Sequence, residues 1–295
     1  MPANLKDKSD IGFIYVASGE KFITEAIDSA TSLRKFMPEA EITLITDNEA
    51  ELKHKCFNQV VYLSTDLVAV APTHRGYYQK IKGLSASPYE KTLFVDTDTQ
   101  FADSVWELFS LLKDYDFAIA SAPYKAKIPS MSLIEFKQKY QQKNYLPALN
   151  TGVICYQKSS KVRQLFQEWE QIFVNNAPGN GEYYSDQTVF CQALAKSQVR
   201  PMILPTEYNF RIGMPQAVHG RVKIFHGRPV QGWQRHIELV NSSDDYRIYI
   251  SSIALLVLKE GHFEVEGFST NVSKTRDLSY KNLQELLTAN EENNG

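Results

Sequence analysis

Short apolar runs alternate with segments of helical periodicity along most of this chain. The runs are rich in β-branched and aromatic side chains, which predicts buried strands at residues 11–17, 41–46, 59–63, 92–95, 117–120, 153–156 and 222–225. Apolar positions three or four residues apart predict helices at residues 23–37, 78–87, 105–112, 133–141, 161–174 and 186–196. Strands and helices that alternate in this way are typical of a layered α/β fold.

The pattern changes near residue 240. Beyond it, residues 245–259 and 278–290 have the spacing of helices, and residues 260–276 between them are rich in turn formers. We therefore expect one α/β domain over residues 1–240, followed by a C-terminal helical extension over residues 241–295.

Composition and charge exclude several classes of protein. The 295 residues include 32 Lys and Arg against 34 Asp and Glu, whereas a nucleic-acid-binding protein needs a basic surplus. The three cysteines are too few and too scattered for a disulfide framework or a Cys-based zinc site, and they are typical of core residues in a reducing compartment. The first ten residues are polar, and no apolar run is long enough for a transmembrane segment. These features predict a soluble, cytoplasmic protein.

The segment TLFVDTDTQ places Asp96 and Asp98 directly after an apolar strand. Open α/β sheets bind ligands at the carboxyl ends of their strands. Two carboxylates at this spacing can both bind one divalent cation, which also binds the oxygens of a diphosphate. The alternative is a pair of turn-forming aspartates whose side chains bond to the backbone.

Two further polar residues are candidates for a metal–diphosphate site. His226 ends another apolar strand, and an imidazole suits Mn²⁺ better than Mg²⁺. Lys80 lies on a predicted helix 16 residues before Asp96, where its charge would face phosphates. The alternatives are a hydrogen-bonded structural histidine and a solvated surface lysine.

Two more segments carry candidate binding residues. In LNTGVICYQ, Asn150 precedes Gly152 at the start of a strand, where a glycine permits close approach to the backbone. In YYSDQTVF, Asp186 and Gln187 follow the helix cap Ser185, at a helix N-terminus whose free N–H groups suit oxygen-rich ligands. The alternatives are a plain turn and ordinary helix capping.

Taken in order, five segments resemble glycogenin-like (family 8-type) glycosyltransferases of the GT-A fold. They are YVASGEKF, KIKGLSASPYEKTLFVDTDTQF, LNTGVICYQKSS, SDQTVF and KIFHGR, and the resemblance covers about residues 11–235. It implies a GT-A (Rossmann-like) nucleotide-diphospho-sugar transferase fold, with a mixed central sheet flanked by helices.

The resemblance also implies roles for individual residues. It implies a Mn²⁺ (or Mg²⁺) cofactor bound by Asp96, Asp98 and His226. It implies catalytic roles for Gln187, Asp186 and Lys80. The residues implied in nucleotide-sugar binding are Val16, Ser18, Phe22, Lys80, Asp96, Thr97, Asn150, Gly152, Gly227 and Arg228.

The segment after His226 departs from the family pattern. The family follows this histidine with a spaced glycine and a Lys-Pro-Trp that reaches the diphosphate. Here Gly227 and Arg228 follow directly, and Trp233 comes one position early with no lysine before it. The cation facing the diphosphate is therefore Arg228, Arg235 or absent.

The resemblance implies a metal-dependent hexosyltransferase that moves a sugar from a UDP-linked donor to an acceptor hydroxyl, with retention of configuration. The acceptor is open among glycans, lipids, small molecules and proteins, and so is the oligomeric state. The first alternative is a non-catalytic nucleotide-sugar-binding protein. A sugar nucleotidyltransferase would need a Gly-rich, Arg-containing loop where the chain has ASGEKF, and a D-x-D phosphatase would need Thr or Val where it has Gln100.

Overall fold

The computed structural model describes residues 10–47, 54–63, 70, 72–122, 149–176, 185–230, 232–250, 254–259 and 262–267. The strands are β1 Ile11–Val16, β2 Ile42–Thr46, β3 Gln59–Tyr62, β4 Lys91–Val95, β5 Thr99–Phe101, β6 Phe117–Ser121, β7 Leu149–Gln157, β8 Pro201–Leu204, β9 Phe210–Arg211, β10 Gln216–Val218, β11 Ile224–His226, β12 Arg247–Ile250, β13 Ala254–Lys259 and β14 His262–Gly267. The helices are α1 Glu20–Phe36, α2 Arg75–Ser85, α3 Leu108–Leu111, α4 Ser160–Asn176, α5 Asp186–Lys196 and α6 Trp233–Val240.

The central sheet has seven strands in the order β3-β2-β1-β4-β7-β6-β8. Strands β3, β2, β1 and β4 are parallel, whereas β7 is antiparallel to both β4 and β6. The carboxyl end of β4 therefore meets the amino-terminal end of β7, where Asn150 and Gly152 lie. The mixed sheet of the expected GT-A fold is thus present.

Helices cover both faces of this sheet because its side chains alternate in direction. Phe13 and Tyr15 of β1 pack with α1 and α3 on one face, while Ile14 packs with α2, α4 and α5 on the other. Trp169 of α4 and Phe190 of α5 are fully buried in the second layer, with ring centroids 4.8 Å apart. The two apolar layers hold the strand ends in fixed positions.

A three-stranded sheet, in the order β5-β11-β9, lies next to the carboxyl end of β4. Strand β5 begins directly after the D-x-D turn and pairs antiparallel with β11. In this register His226 lies opposite Thr99. Strand pairing thus brings His226 beside the two aspartates from a distant part of the sequence.

The prediction of a helix over residues 245–259 is wrong. This region forms β12 and β13, and β14 lies within the stretch expected to be turns. Arg247 and Tyr249 are buried while Ile248 and Ile250 are partly exposed, which is the alternation of a half-buried strand. The apolar run that follows, residues 254–258, is too short for periodicity to distinguish strand from helix.

These C-terminal strands form an antiparallel sheet in the order β10-β12-β13-β14. Its β10–β12 pair joins residues on both sides of position 240. The division into residues 1–240 and 241–295 stays a prediction. The helices expected at 133–141 and 278–290 lie outside the described residues.

The other predicted elements are confirmed with shifted ends. Strand β7 begins four residues earlier than expected and includes Asn150 and Gly152. The helix expected at 105–112 is a single turn at 108–111. Helix α5 has the expected bounds, and its cap Ser185 accepts a hydrogen bond from the backbone of Thr188. Among the described helices, none combines the length and apolar character needed to cross a bilayer.

Candidate active site

A cleft of about 820 Å³ opens at the carboxyl ends of β1 and β4. The predicted site residues that line it are Val16, Ser18, Phe22, Lys80, Asp96, Thr97, Asp98, Asp186, Gln187, His226 and Arg228. Asn150 and Gly152 are buried behind the residues that line the cleft. Gly227 follows β11 and donates its backbone N–H to the carbonyl oxygen of Asp98 over 2.8 Å.

Asp96, Asp98 and His226 converge, with one ligand atom from each within 4.8 Å of the others. Nε2 of His226 lies 3.3 Å from a carboxylate oxygen of Asp98 and 3.6 Å from one of Asp96. Two carboxylates and an imidazole at this spacing suit a divalent cation with metal–ligand distances of roughly 2.0–2.6 Å. The three residues therefore fit a Mn²⁺ or Mg²⁺ ion.

Backbone and hydroxyl hydrogen bonds hold the D-x-D turn in place. The N–H of Asp96 donates to the carbonyl of Gly152 over 2.8 Å, and the hydroxyl of Thr99 donates to the carbonyl of Asp96 over 2.8 Å. Gly227 has φ +133°, a conformation that favours glycine. The aspartates are thus fixed from both β7 and β11.

Lys80 is a buried cation that joins two carboxylates. Its Nζ lies 2.9 Å from Asp96, 3.0 Å from Asp186 and 3.1 Å from the hydroxyl of Thr151. Burial alone would lower the pKa of Lys80, but the carboxylates of Asp186 and Asp96 outweigh it and raise that pKa. Lys80 therefore stays charged within the wall of the cleft and is not a solvated surface residue.

The adjacent residues Asp186 and Gln187 have different partners. Asp186 is 2% exposed, and its carboxylate accepts a hydrogen bond from Thr151 over 2.6 Å in addition to the ion pair with Lys80. Oε1 of Gln187 accepts a hydrogen bond from Nδ2 of Asn150 over 3.1 Å. The two side chains diverge, as expected of neighbours at a helix N-terminus.

Arg228 places a guanidinium beside the candidate metal site. Its Nη1 lies 2.9 Å from Asp98, while Nε and Nη2 each donate to Glu25 over 2.8 Å. The hydrogen bonds to Glu25 and the charge of Asp98 raise the pKa of Arg228 against the effect of burial. Arg235, the other cation considered from the sequence, is exposed on α6.

The charges around Asp98 keep it ionised. Burial alone would raise the pKa of Asp98, but a hydrogen bond with His226 and the charges of His226 and Arg228 outweigh it. The pKa of Asp98 therefore lies well below its usual range. An ionised carboxylate is the form that binds a hard cation.

The end of the cleft near β2 has polar side chains in contact with one another. The hydroxyl of Ser18 donates to Gln79, whose amide donates to Asp47 over 2.5 Å. Val16 lies on the same wall, and the ring of Phe22 is 43% exposed at the cleft. This combination of an apolar surface and an amide–carboxylate pair can bind a nucleobase.

Sequence reasoning missed Glu25, Asn209 and Arg211. Glu25 lies on α1, and its carboxylate also accepts a hydrogen bond from Thr97 over 3.1 Å. Nη1 of Arg211 lies 2.8 Å from Nε2 of His226 and lines the cleft. Asn209 and Arg211 reach the site because β9 pairs with β11, and no local pattern in the sequence signals that pairing.

No protein-family model matches the sequence, and no curated protein matches it. Solved structures are similar in fold. Galactosyltransferase LgtC, in complex with donor and acceptor sugar analogs, is 15% identical with a TM-score of 0.51, over 74% of this chain and 87% of that one. An active-site mutant of LgtC is 16% identical with a TM-score of 0.53, over 78% and 95% of the two chains. Mouse xyloside xylosyltransferase 1 is 14% identical with a TM-score of 0.50, over 76% and 99%. The predicted GT-A glycosyltransferase fold is thereby confirmed.

Proposed function

We propose that this protein is a metal-dependent glycosyltransferase that moves a sugar from a nucleoside-diphosphate sugar, UDP-linked, to an acceptor hydroxyl. The observation that carries the proposal is the convergence of Asp96, Asp98 and His226 within 4.8 Å, in a cleft at the carboxyl end of β4. The shared fold with a galactosyltransferase and a xylosyltransferase supports sugar transfer.

The three ligands would hold Mn²⁺ or Mg²⁺, which supplies positive charge against the leaving diphosphate. Two cations of the chain stand beside them. Lys80 is anchored by two carboxylates and is preorganised for charge that grows as the glycosidic bond breaks. Arg228 takes the place of the lysine that the family carries, because its Nη1 faces Asp98 at the cleft.

Donor binding is assigned by position in the cleft. Val16, Ser18 and Phe22 lie where the base and ribose would bind, next to the Gln79–Asp47 pair. Thr97 and Gly227 flank the metal ligands and would lie beside the diphosphate.

Asn150 and Gly152 do not line the cleft, and we assign them to positioning residues that do. Asn150 is 1% exposed, so we assign it to holding Gln187 rather than to broad contact with the sugar. Gly152 lacks the Cβ atom that would occupy the space of the His226 ring. Both residues would thus contribute to donor binding through the groups that they position.

We infer a retaining reaction without a covalent adduct, and the partners of Asp186 and Gln187 support that assignment. Asp186 is buried and bound to both Lys80 and Thr151, so its carboxylate is a poor nucleophile. Gln187 lines the cleft, and its amide can face the anomeric carbon without forming a stable bond to it. We therefore assign Gln187 to the reacting carbon and Asp186 to the hydroxyls of the sugar.

One alternative stays open because of the altered segment after His226. If Arg228 remains bound to Glu25 and Asp98, the cleft could bind a nucleotide sugar without turning it over. The non-catalytic protein and the enzyme would both bind UDP with Mn²⁺. Only the enzyme would hydrolyse or transfer the donor.

The experiment is a panel of nucleotide sugars with Mn²⁺, read by thermal shift and by release of the nucleoside diphosphate. Binding of an occupied donor raises the melting temperature by mass action. Asp98→Asn, which removes a proposed metal ligand, is the negative control. Asp103→Asn makes the same change at an exposed aspartate away from the candidate metal site and is the matched control variant. Stabilisation by a donor without any release of diphosphate would favour the binding protein. The acceptor and the cytoplasmic location remain predictions for separate tests.

A further inference from the structure

A chain of side-chain amides runs behind the cleft from Gln187 to His226. Nδ2 of Asn150 donates to Oε1 of Gln187 over 3.1 Å, and Nδ2 of Asn209 donates to Oδ1 of Asn150 over 2.8 Å. Oδ1 of Asn209 lies 2.8 Å from Nδ1 of His226. Asn150, Asn209 and His226 are each no more than 2% exposed, so water cannot substitute for these bonds.

One backbone N–H group determines which atom donates and which accepts in every hydrogen bond of this side-chain series. The N–H of Gly152 lies 2.9 Å from Oδ1 of Asn150, and a backbone N–H can only donate. The oxygen of Asn150 must therefore face Gly152 and Asn209. Asn209 must in turn present its NH₂ group to that oxygen, which leaves its own oxygen facing His226.

The oxygen of Asn209 requires a proton on Nδ1 of His226, since an oxygen can only accept. Arg211 also lies 3.0 Å from Nδ1, but a guanidinium is only a donor and cannot accept that proton. Nδ1 keeps its proton whether the ring is neutral or charged. In the neutral ring the lone pair is then on Nε2, the atom that faces Asp98 and Asp96 at 3.3 and 3.6 Å and that Nη1 of Arg211 approaches to 2.8 Å.

The same chain fixes the amide of Gln187. Because the oxygen of Asn150 is directed toward Gly152 and Asn209, its NH₂ group faces Gln187. Only the oxygen of Gln187 can accept that hydrogen bond. The orientation of an amide at the cleft is therefore linked to the tautomer of a histidine at the candidate metal site.

We propose that Asn209 is a positioning residue: it holds the Nδ1–H tautomer of His226, so that Nε2 binds the metal, and through Asn150 it orients Gln187. The proposal rests on the proposed function, because it takes His226 as a metal ligand. Residues that accept the second N–H of a ligating histidine typically raise metal affinity by 10–100-fold.

The test compares two substitutions at Asn209 with one elsewhere. Asn209→Leu removes both bonds at similar volume, whereas Asn209→Asp keeps an acceptor for His226 and removes the donor to Asn150. The control is Asn241→Leu, because Asn241 also bonds in both directions, to the backbone of Val222, away from the cleft. Mn²⁺ binding is measured by electron paramagnetic resonance of the free ion. The Nδ1–H proton of His226 is followed by NMR of metal-free protein with ¹⁵N-labelled histidine.

Asn209→Leu is expected to weaken Mn²⁺ binding by about 10–100-fold and to shift or abolish the Nδ1–H signal of His226. Asn209→Asp is expected to keep Mn²⁺ binding within about threefold and to lower turnover with little change in KM, because Gln187 loses its orientation. Asn241→Leu should change neither readout. If Asn209→Leu fails to fold, Asn209→Asp decides alone, and loss of Mn²⁺ binding in that variant would overturn the proposal.

The NMR readout separates this proposal from the proposed function. A wild-type protein that has the hydrogen-bonded Nδ1–H signal and binds Mn²⁺, but transfers no sugar, would refute the transferase and leave the role of Asn209 intact. Wild-type Mn²⁺ affinity and an unchanged Nδ1–H signal in Asn209→Leu would overturn the positioning role, whatever the activity.

Discussion

Gly152 and the imidazole of His226 pack so closely that a Cβ atom on residue 152 would lie 2.1 Å from Cε1 of the ring. Real Cβ atoms do not approach other atoms this closely, so the ring can occupy its place only beside a glycine. The glycine expected from sequence to permit approach of a ligand thus permits approach of His226, a proposed metal ligand.

Gly152→Ala is therefore expected to displace His226 and to weaken Mn²⁺ binding, at a cost in stability of roughly 1–3 kcal/mol for the overpacked ring. Titration with Mn²⁺ and urea denaturation measure the two effects. Gly220→Ala is the matched control, since a Cβ at residue 220 meets open space. Wild-type Mn²⁺ affinity in Gly152→Ala would show that His226 is not a ligand.

Asp98→Asn should abolish metal-dependent nucleotide binding, with a loss of more than about 100-fold in Mn²⁺ affinity because a direct ligand is removed. Calorimetric titration of UDP with and without Mn²⁺ measures the loss. Asp103→Asn, which removes a carboxylate exposed at 39%, should bind as the wild type does. Equal UDP affinity with and without Mn²⁺ in the wild type would contradict the metal site.

Lys80→Ala should lower kcat by about 10²-fold, more than it raises KM, because charge on the diphosphate grows as the glycosidic bond breaks. It should also destabilise the protein, since it leaves buried Asp186 without its ion pair. Lys82→Ala, on the same helix and in a half-buried ion pair with Glu170 that does not line the cleft, should leave kcat unchanged. A raised KM with an unchanged kcat would limit Lys80 to binding of the ground state.

Arg228→Ala should lower kcat/KM by about 10–100-fold, the range expected from loss of a charge-assisted hydrogen bond to the diphosphate. Arg221→Ala is the control, because Arg221 is 48% exposed and paired with Asp103 outside the cleft. Steady-state kinetics with the best donor of the panel measure kcat/KM for both variants and for the wild type. Unchanged kinetics in Arg228→Ala would mean that the diphosphate is neutralised without it.

The three cysteines should be inert in the folded protein. Burial raises the pKa of Cys56 and of Cys191 to about 11, and it raises the pKa of Cys155 further. In the unfolded chain a thiol titrates near pH 8.5. The free energy of unfolding is therefore expected to fall as the pH rises from about 8.5 toward 11, less steeply in a Cys56→Ala, Cys191→Ala double variant. Rapid reaction of a folded-state thiol with Ellman's reagent at pH 8 would contradict this.

Local motifs made most of the site predictable. Asp96, Asp98, Asp186 and Gln187 each follow directly from the end of a strand or the start of a helix, where the sequence pattern is strong. The partners that give these residues their properties come from distant segments. Glu25 reaches the site from α1, and Asn209 reaches it from the position just before β9, through packing that no short pattern encodes.

The C-terminal strands show the limit of periodicity as evidence. Tyr249 is fully buried against Phe210, with ring centroids 4.8 Å apart, so its environment is set by a strand some forty positions earlier. A four-residue alternation such as Arg247–Ile250 is short enough to fit a helix equally well. Tertiary packing, rather than local preference, decides the conformation here.

The pairing of β10 with β12 places the C-terminal segment behind β11, the strand that carries the proposed metal ligand His226. Phe225 of β11 stacks edge-on against Phe210 at 5.2 Å, and Phe210 in turn contacts Tyr249 of β12. A protease cut after residue 240 would uncover this aromatic layer and leave the backbone of β10 as an open sheet edge, a template for pairing with other chains. Loss of the residues after position 240 would therefore cause self-association and disorder at His226. It would not simply remove an independently folded unit.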